Sequence, residues 1–125
     1  MSLLEILRAI GKRPMMYIGD PTQNRCSIWH LHSFLVGFQS GRDGREEGDE
    51  ILDEFLSWVC TRYRVPDGAM NWAGHLWSQS GKDGEAAFRL FFELLEEYLR
   101  DREQLGPDVI KSRFMRMLEE HTSGL

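Results

Sequence analysis

This sequence predicts an all-α fold, a compact bundle of about five helices, and three observations carry the prediction. Apolar residues recur at spacings of three and four through most of the chain, which places them on one face of a helix. Glycines and prolines separate these stretches, and no stretch alternates between apolar and polar residues as a half-buried strand does. At 125 residues the chain is expected to form a single helical domain, residues 1–125, around one core.

The first predicted helix begins after Ser2, a residue type favoured at the N-cap. Its apolar stripe consists of Leu3, Leu7 and Ile10. Gly11 is expected to end this helix, because glycine readily adopts the backbone conformation that follows a helix. Pro14 and Pro21 then oppose a helix over the next segment.

A charged loop is expected between the next two helices. The second helix is predicted to start near Ser27, residues 41–48 to form the surface loop, and Asp49 to cap the third helix. The buried stripe of the second helix is expected to be Ile28, Leu31, Leu35 and Phe38, and that of the third Leu52, Phe55, Leu56, Val59 and Tyr63.

The second half of the chain contains the strongest helical pattern. Residues 70–80 fit either a short helix or extended backbone, so a short hairpin near residues 64–80 is the alternative there. Asp83 is expected to open a long helix, and Gly106-Pro107 to end it and start the last one. The two apolar stripes are Ala87, Leu90, Phe91, Leu94, Leu95 and Tyr98, followed by Ile110, Phe114, Met117 and Leu118.

The composition and charge of the chain limit the kinds of partner and the location that are expected. The net charge of −5 argues against nucleic acid as a partner and is compatible with a basic protein. No apolar run reaches the roughly 18 residues of a membrane span, and the N-terminus lacks the pattern of a secretory signal, so a cytoplasmic protein is expected. Cys26 and Cys60 fall on different predicted elements without metal-ligand spacing, so they are expected to be thiols.

Catalytic and metal sites are not expected. On a helix the rings of His30 and His32 point about 200° apart, so the pair cannot chelate one ion. No nucleophile or protease signature surrounds Ser57, Cys60 and His75. The histidines are better explained as capping or partly buried side chains, and the sequence predicts a protein with no enzymatic activity and no cofactor.

The four tryptophans are the strongest sign of binding in the chain: Trp29, Trp58, Trp72 and Trp77. Tryptophan is enriched at binding hot spots and is also a common core residue. Trp58 follows Phe55 on the third helix and is expected in the core or at its boundary. Trp72 and Trp77 bracket His75 in the least regular segment, which favours contact with a partner.

The segment Arg13 to Gly19, RPMMYIG, has two interpretations. Arg13, Tyr17 and the backbone amides near Gly19 can hold an anion, because glycine permits close backbone approach. Alternatively, the segment is structural: Pro14 fixes the backbone, Met16 and Ile18 enter the core, and Gly19 forms a turn.

This segment resembles the RPGMYIG arm of gyrase B-type (GHKL-class) ATPases, in which a Leu-His pair opens the next helix. Leu31-His32 matches that pair. The resemblance then assigns the position of the catalytic glutamate to Gly37 and that of the magnesium-binding asparagine to Gly41. No acidic residue occurs between Asp20 and Asp43, so no local side chain can replace the base. ATPase activity is therefore not expected.

Most of residues 2–99 resembles a set of small bacterial all-helical proteins of uncharacterised activity. The shared motifs are the loop at residues 13–19, FLVGF at 34–38, FLSWVCTRY at 55–63, a tryptophan-bearing stretch at 72–77, and AFRLFFELLEEY at 87–98. Met15 occupies the position where those proteins usually have the first glycine of the loop.

Some of those proteins resemble immunity proteins encoded beside bacterial toxins. The resemblance implies a non-catalytic protein that occludes a partner, and the acidic charge suits a basic toxin. The predicted contact surface combines the acidic segment at 43–50 with the tryptophan-bearing stretch: Glu46, Glu47, Asp49, Trp72, His75 and Trp77. The alternatives are a homodimer or larger scaffold in which tryptophans meet across a two-fold axis, and a small anion- or nucleotide-binding module using Arg13–Gly19.

Overall fold

A computed structural model of the chain describes residues 3–13, 26–40, 47–65 and 72–123. These residues form six α-helices: α1 (Leu3–Lys12), α2 (Ile28–Ser40), α3 (Glu47–Tyr63), α4 (Trp72–Gln79), α5 (Gly84–Leu105) and α6 (Pro107–Ser123). No strand occurs within these ranges. The all-α prediction is confirmed, with one helix more than the five expected.

The additional helix is α4, where the sequence left a hairpin as the alternative. Ala73 and Leu76 are buried on its inner side, so packing supports a helix of only eight residues. It ends in a tight turn in which Gly81 and Lys82 have φ of +70° and +64° and the amide of Lys82 donates to the carbonyl of Trp77 (2.9 Å).

The long helix α5 contacts α2, α3, α4 and α6, and it also contacts α1, where Gly11 lies against Phe92. It runs antiparallel to α3, since Arg62 pairs with Glu97 while Glu54, two turns earlier in α3, pairs with Arg102. Helix α6 lies beside α3, from the groove that Glu54 lines to the ion pair between Arg64 and Glu120 (2.8 Å). Helix α1 also packs on α3.

The predicted stripes form the core. The side chains buried on the expected faces are Leu7, Ile10, Ile28, Leu31, Leu35, Leu52, Phe55, Val59, Ala87, Phe91, Leu94, Leu95, Tyr98, Ile110 and Met117. Phe55 meets the ring of Phe91 edge-on at 5.3 Å between centroids and also contacts Tyr98. Leu56, Tyr63 and Leu90 are partly buried against this core.

Several helix ends follow from local chemistry. Asp83 caps α5 by accepting hydrogen bonds from the amides of Glu85 (3.0 Å) and Ala86 (3.1 Å). At the other end Gly106 has φ of +87° and its amide donates to the carbonyl of Arg102 (3.0 Å). Pro107 then occupies the first position of α6, as predicted.

Helix α2 begins with a reciprocal cap that confirms a capping role for one histidine. The amide of Trp29 donates to Ser27 Oγ (3.3 Å), while the amide of Ser27 donates to His30 Nδ1 (3.0 Å). His30 therefore takes the place that Glu or Gln occupies in a capping box.

Two predicted boundaries are wrong. Helix α3 begins at Glu47, so Asp49 lies inside its first turn rather than before it. A negative charge in the first turn is stabilised by the positive end of the helix dipole. Helix α1 continues to Lys12, past Gly11. Gly11 has a packing role instead, since a Cβ there would lie 2.9 Å from Cδ1 of Phe92 on α5.

Candidate functional site

An aromatic cluster joins α2 to α4 and contains three of the four tryptophans. Trp29 and Trp77 lie 6.0 Å apart between ring centroids. His32 lies 5.5 Å from Trp72, which in turn lies 5.2 Å from Phe91 in the core. Trp72 and Trp77 are both partly buried in this cluster, whereas Trp29 is 40% exposed.

Trp29 is exposed, and the sequence analysis places it on no surface. Its position relative to the apolar stripe of α2 could have indicated this exposure. It lies off the buried stripe of α2, on the outward face. The start of α5 comes close to it, because a Cβ on Gly84 would lie 2.9 Å from Ser27 Cβ and 3.8 Å from Trp29 Cδ1. Trp29 and Trp77 therefore lie at the N-terminal end of α5.

His75 lies in the interior rather than on the surface. It is 7% exposed, and its ring packs against that of Tyr63 in a T-shaped contact, 4.9 Å between centroids. Its Nε2 atom has no hydrogen-bond partner among the residues that the structure describes. Burial lowers the pKa of His75 below its ordinary value, because the interior disfavours the charged ring. This side chain has little surface to offer a partner.

The acidic part of the predicted surface lies far from Trp77. Glu46 lies outside the described residues, and Glu47 and Asp49 lie in the first turn of α3. The next turn contacts the second half of α5, where the Tyr98 hydroxyl donates to the carbonyl of Ile51 (3.4 Å). Tyr98 lies 14 residues after Gly84 in α5, a distance of about 21 Å along a helix axis. The predicted surface is therefore two patches, not one.

A groove between α3 and α6 lies beside the acidic patch. Its volume is about 390 Å³, and it is lined by Asp53, Glu54, Ser57, Ile110, Lys111, Phe114 and Met115. Met115 is 49% exposed, and methionine is a residue that adapts readily to different partners at binding surfaces. The groove brings carboxylates from α3 against apolar side chains from α6.

A partly buried hydrogen-bond network fixes one wall of this groove. The hydroxyl of Tyr98 donates to Glu54 Oε1 (2.8 Å), and Arg102 Nε donates to the same oxygen (3.1 Å). Burial, and then the hydrogen bond to the carboxylate of Glu54, raise the pKa of Tyr98 above its ordinary value. Glu54 is thus held in place by α5, and its charge is partly balanced by Arg102.

Trp58 has a structural role, as its helical position predicted. It is buried, its indole Nε1 donates to Asp101 Oδ2 (3.0 Å), and the guanidinium of Arg62 lies 5.6 Å from its ring centroid. A small cavity of about 180 Å³ lies beside it, lined also by Thr61, Ile110 and Arg113. In this cavity Arg62 pairs with Glu97, and Asp101 accepts the hydrogen bond from Trp58.

Of the residues predicted to bind an anion, the structure describes Arg13. Arg13 is exposed just after α1, and its amide donates to the carbonyl of Ala9 (3.0 Å). Tyr17 and Gly19 lie outside the described residues, so anion binding by this segment stays a prediction. Within the described ranges, no three His, Cys, Asp or Glu side chains are grouped so that they could hold a metal ion. No helix in that part of the chain is long and apolar enough to cross a membrane.

Both cysteines are thiols and not a disulfide, as expected. Burial, together with the nearby carboxylate of Glu85, raises the pKa of Cys26 to about 11. A thiol with so high a pKa is protonated at neutral pH and is a poor nucleophile.

The chain matches no protein-family model, no curated protein and no solved structure with which it was compared. Its resemblance to the small bacterial proteins and to the arm of the gyrase B-type ATPases therefore stays a prediction. What bears on function is the geometry of the described surfaces.

Proposed function

We propose that this chain is a non-catalytic, cytoplasmic bacterial protein that binds another protein, an immunity protein that occludes a basic toxin. The proposal assigns the contact to the groove between α3 and α6. This contact includes the acidic residues of the surface predicted from the sequence. Apolar side chains of α6 take the place of the predicted tryptophan-bearing stretch.

One observation carries this proposal: acidic residues are concentrated in the first half of α3. That helix has five acidic residues and one arginine, a formal charge of −4, compared with −3 on the longer α5 and −5 for the whole chain. All five acidic residues, Glu47, Asp49, Glu50, Asp53 and Glu54, lie in its first eight positions. A concentrated charge of this kind accelerates encounter with a partner of opposite charge.

The groove supplies the apolar contact that charge alone does not. A bound partner would cover Met115 and Phe114, while Asp53 and Glu54 line the same groove. Binding interfaces combine an apolar centre with a charged rim in this way. Lys111 also lines the groove, so the arrangement favours a basic segment that carries apolar side chains over a purely cationic one.

The test is affinity capture by the tagged full chain from lysate of its native cell, read by mass spectrometry. Wild type is expected to recover one basic protein in stoichiometric amount. Met115→Asp is expected to lose it, because a carboxylate that has to be desolvated would replace the apolar side chain at the centre of the contact. Val109→Asp is the matched control, since Val109 is also exposed on α6 but does not line the groove.

The captured protein then has to be toxic when expressed alone, and co-expression of wild type has to restore growth. Met115→Asp should fail to restore it, and Val109→Asp should succeed. Recovery of the chain alone, or equal loss of capture in both variants, would refute a contact through this groove.

A further inference from the structure

The two carboxylate oxygens of Glu54, which lines the groove between α3 and α6, have different surroundings. Oε1 accepts two hydrogen bonds, from the Tyr98 hydroxyl (2.8 Å) and from Arg102 Nε (3.1 Å). Oε2 accepts none from the residues that the structure describes. It is also not fully buried, because the buried side-chain atom left without a partner in these ranges is Nε2 of His75. One oxygen of Glu54 is therefore occupied and the other is open.

Glu54 is held in one position before any partner binds. Tyr98 is fully buried, so core packing fixes the direction of its hydroxyl. The side chain of Glu54 itself is only 22% exposed. A carboxylate that is already fixed loses little conformational entropy when a partner binds to it. Because Glu54 lines the groove, Oε2 is an acceptor that is fixed in advance in the wall of the groove.

The number of open oxygens decides which basic side chain fits best. The guanidinium of arginine pairs most strongly with a carboxylate as a fork, through two parallel hydrogen bonds to two oxygens. At Glu54 one oxygen already has two donors, so a fork finds a single open oxygen. The ammonium of lysine is a compact point charge and needs only one. Its apolar stem can lie against Phe114 and Met115, which line the same groove.

We propose that the groove binds its protein partner through a lysine side chain, whose ammonium donates to Glu54 Oε2 and whose stem lies along Phe114 and Met115. This inference rests on the proposed function and adds which basic side chain the partner inserts. Tyr98 and Arg102 are positioning residues, because they occupy Oε1 and leave Oε2 for the ligand.

The charge near Glu54 suits a further cation even though Arg102 already pairs with it. Arg102 balances one carboxylate, and Lys111 adds a second positive charge at the groove. The first eight positions of α3 contain five carboxylates, so five acids against two cations leave an excess of three negative charges. An ammonium group from the partner is therefore attracted to this end of α3.

Two blocked pentapeptides test the choice of cation with the full chain: one alternates leucine with lysine, and the other alternates leucine with arginine. Binding is followed by NMR titration, with the methyl resonance of Met115 as the probe of the groove. Wild type is expected to bind the lysine peptide about threefold or more tightly than the arginine peptide. Glu54→Gln should weaken the lysine peptide about tenfold, because an amide donor would face the ammonium in place of Oε2.

Glu119→Gln is the matched control for Glu54→Gln. It removes the same charge from an exposed position of α6 that does not line the groove, so it should bind both peptides as wild type does.

Tyr98→Phe tests the positioning role. It removes one of the two donors on Glu54 Oε1 and keeps the shape of the buried ring. The arginine fork then finds a second oxygen, so the arginine peptide should gain affinity relative to the lysine peptide. If Tyr98 only supported the fold, both peptides would weaken by the same factor.

Three results would overturn the inference: wild type that binds neither peptide, wild type that binds both equally, or a lysine peptide bound as tightly by Glu54→Gln as by Glu119→Gln. Affinity capture separates this inference from the proposed function. A native partner that is lost in Met115→Asp but kept in Glu54→Gln would leave the groove as the contact and would reject a lysine at Glu54.

Discussion

At the scale of single residues, the buried imidazole of His75 is a defined weak point of the core. Its Nε2 atom lacks a hydrogen-bond partner in the part of the chain that the structure describes, and its ring packs against that of Tyr63. A buried polar atom without a partner costs about 1–3 kcal/mol of desolvation. The same burial disfavours the protonated ring, so stability at this position depends on pH.

We expect wild type to lose stability as the pH falls below about 6.5, the ordinary pKa of histidine. The pKa of His75 is lowered in the folded state, so the unfolded chain binds the proton first and is favoured as the pH drops toward the folded value. The loss can reach about 1.4 kcal/mol per pH unit while only the unfolded state is protonated. His75→Leu should remove this dependence and should be as stable as wild type or more so at neutral pH. Urea unfolding of both proteins from neutral to mildly acidic pH measures it; parallel pH curves would contradict the assignment to His75.

At the scale of the helices, two glycines that look alike in sequence have opposite roles. Gly84 lies at the start of α5, where a Cβ would meet Ser27 Cβ at 2.9 Å, and neither atom lies at the end of a flexible side chain. Gly37 lies within α2, where a Cβ would meet no described atom within 4 Å. Only the first is required by packing.

The same substitution at both positions should therefore change stability in opposite directions. We expect Gly84→Ala to destabilise the fold by about 1–3 kcal/mol through overpacking against the start of α2. Gly37→Ala should stabilise it by about 0.5–1 kcal/mol, because alanine costs less backbone entropy in a helix. Urea unfolding measures both. Equal destabilisation by the two variants would mean that the space around Gly37 is not open.

The helices that the sequence predicts correctly are those with local signals. Asp83 and the Gly106-Pro107 pair fix the ends of α5 through bonds within a few residues, so their effect is readable from the chain. Helix α4 has eight residues, too few for a stable isolated helix, and depends on the burial of Ala73 and Leu76 against distant residues. Its conformation is decided by tertiary packing, and the sequence leaves it open for that reason.

At the scale of the whole molecule, the candidate sites depend on topology more than on composition. The acidity of α3 is readable from the sequence, but its neighbours are not, because Met115 lies more than fifty residues after the acidic segment. The sequence grouped the acidic residues with Trp77, whereas the antiparallel course of α3 and α5 places them toward opposite ends of α5. Distances of this kind follow only from how the helices are connected and packed.

The proposed contact with a basic partner depends on the charge of α3, so salt should weaken it. Association of a basic partner with the acidic groove is accelerated by attraction, and screening over about 10 Å at 0.1 M salt removes much of that attraction. We expect the association rate to fall steeply with ionic strength, and Asp53→Lys to reduce both the rate at low salt and its dependence on salt. Stopped-flow measurements with the captured partner test this; an association rate that does not change with salt would exclude steering by α3.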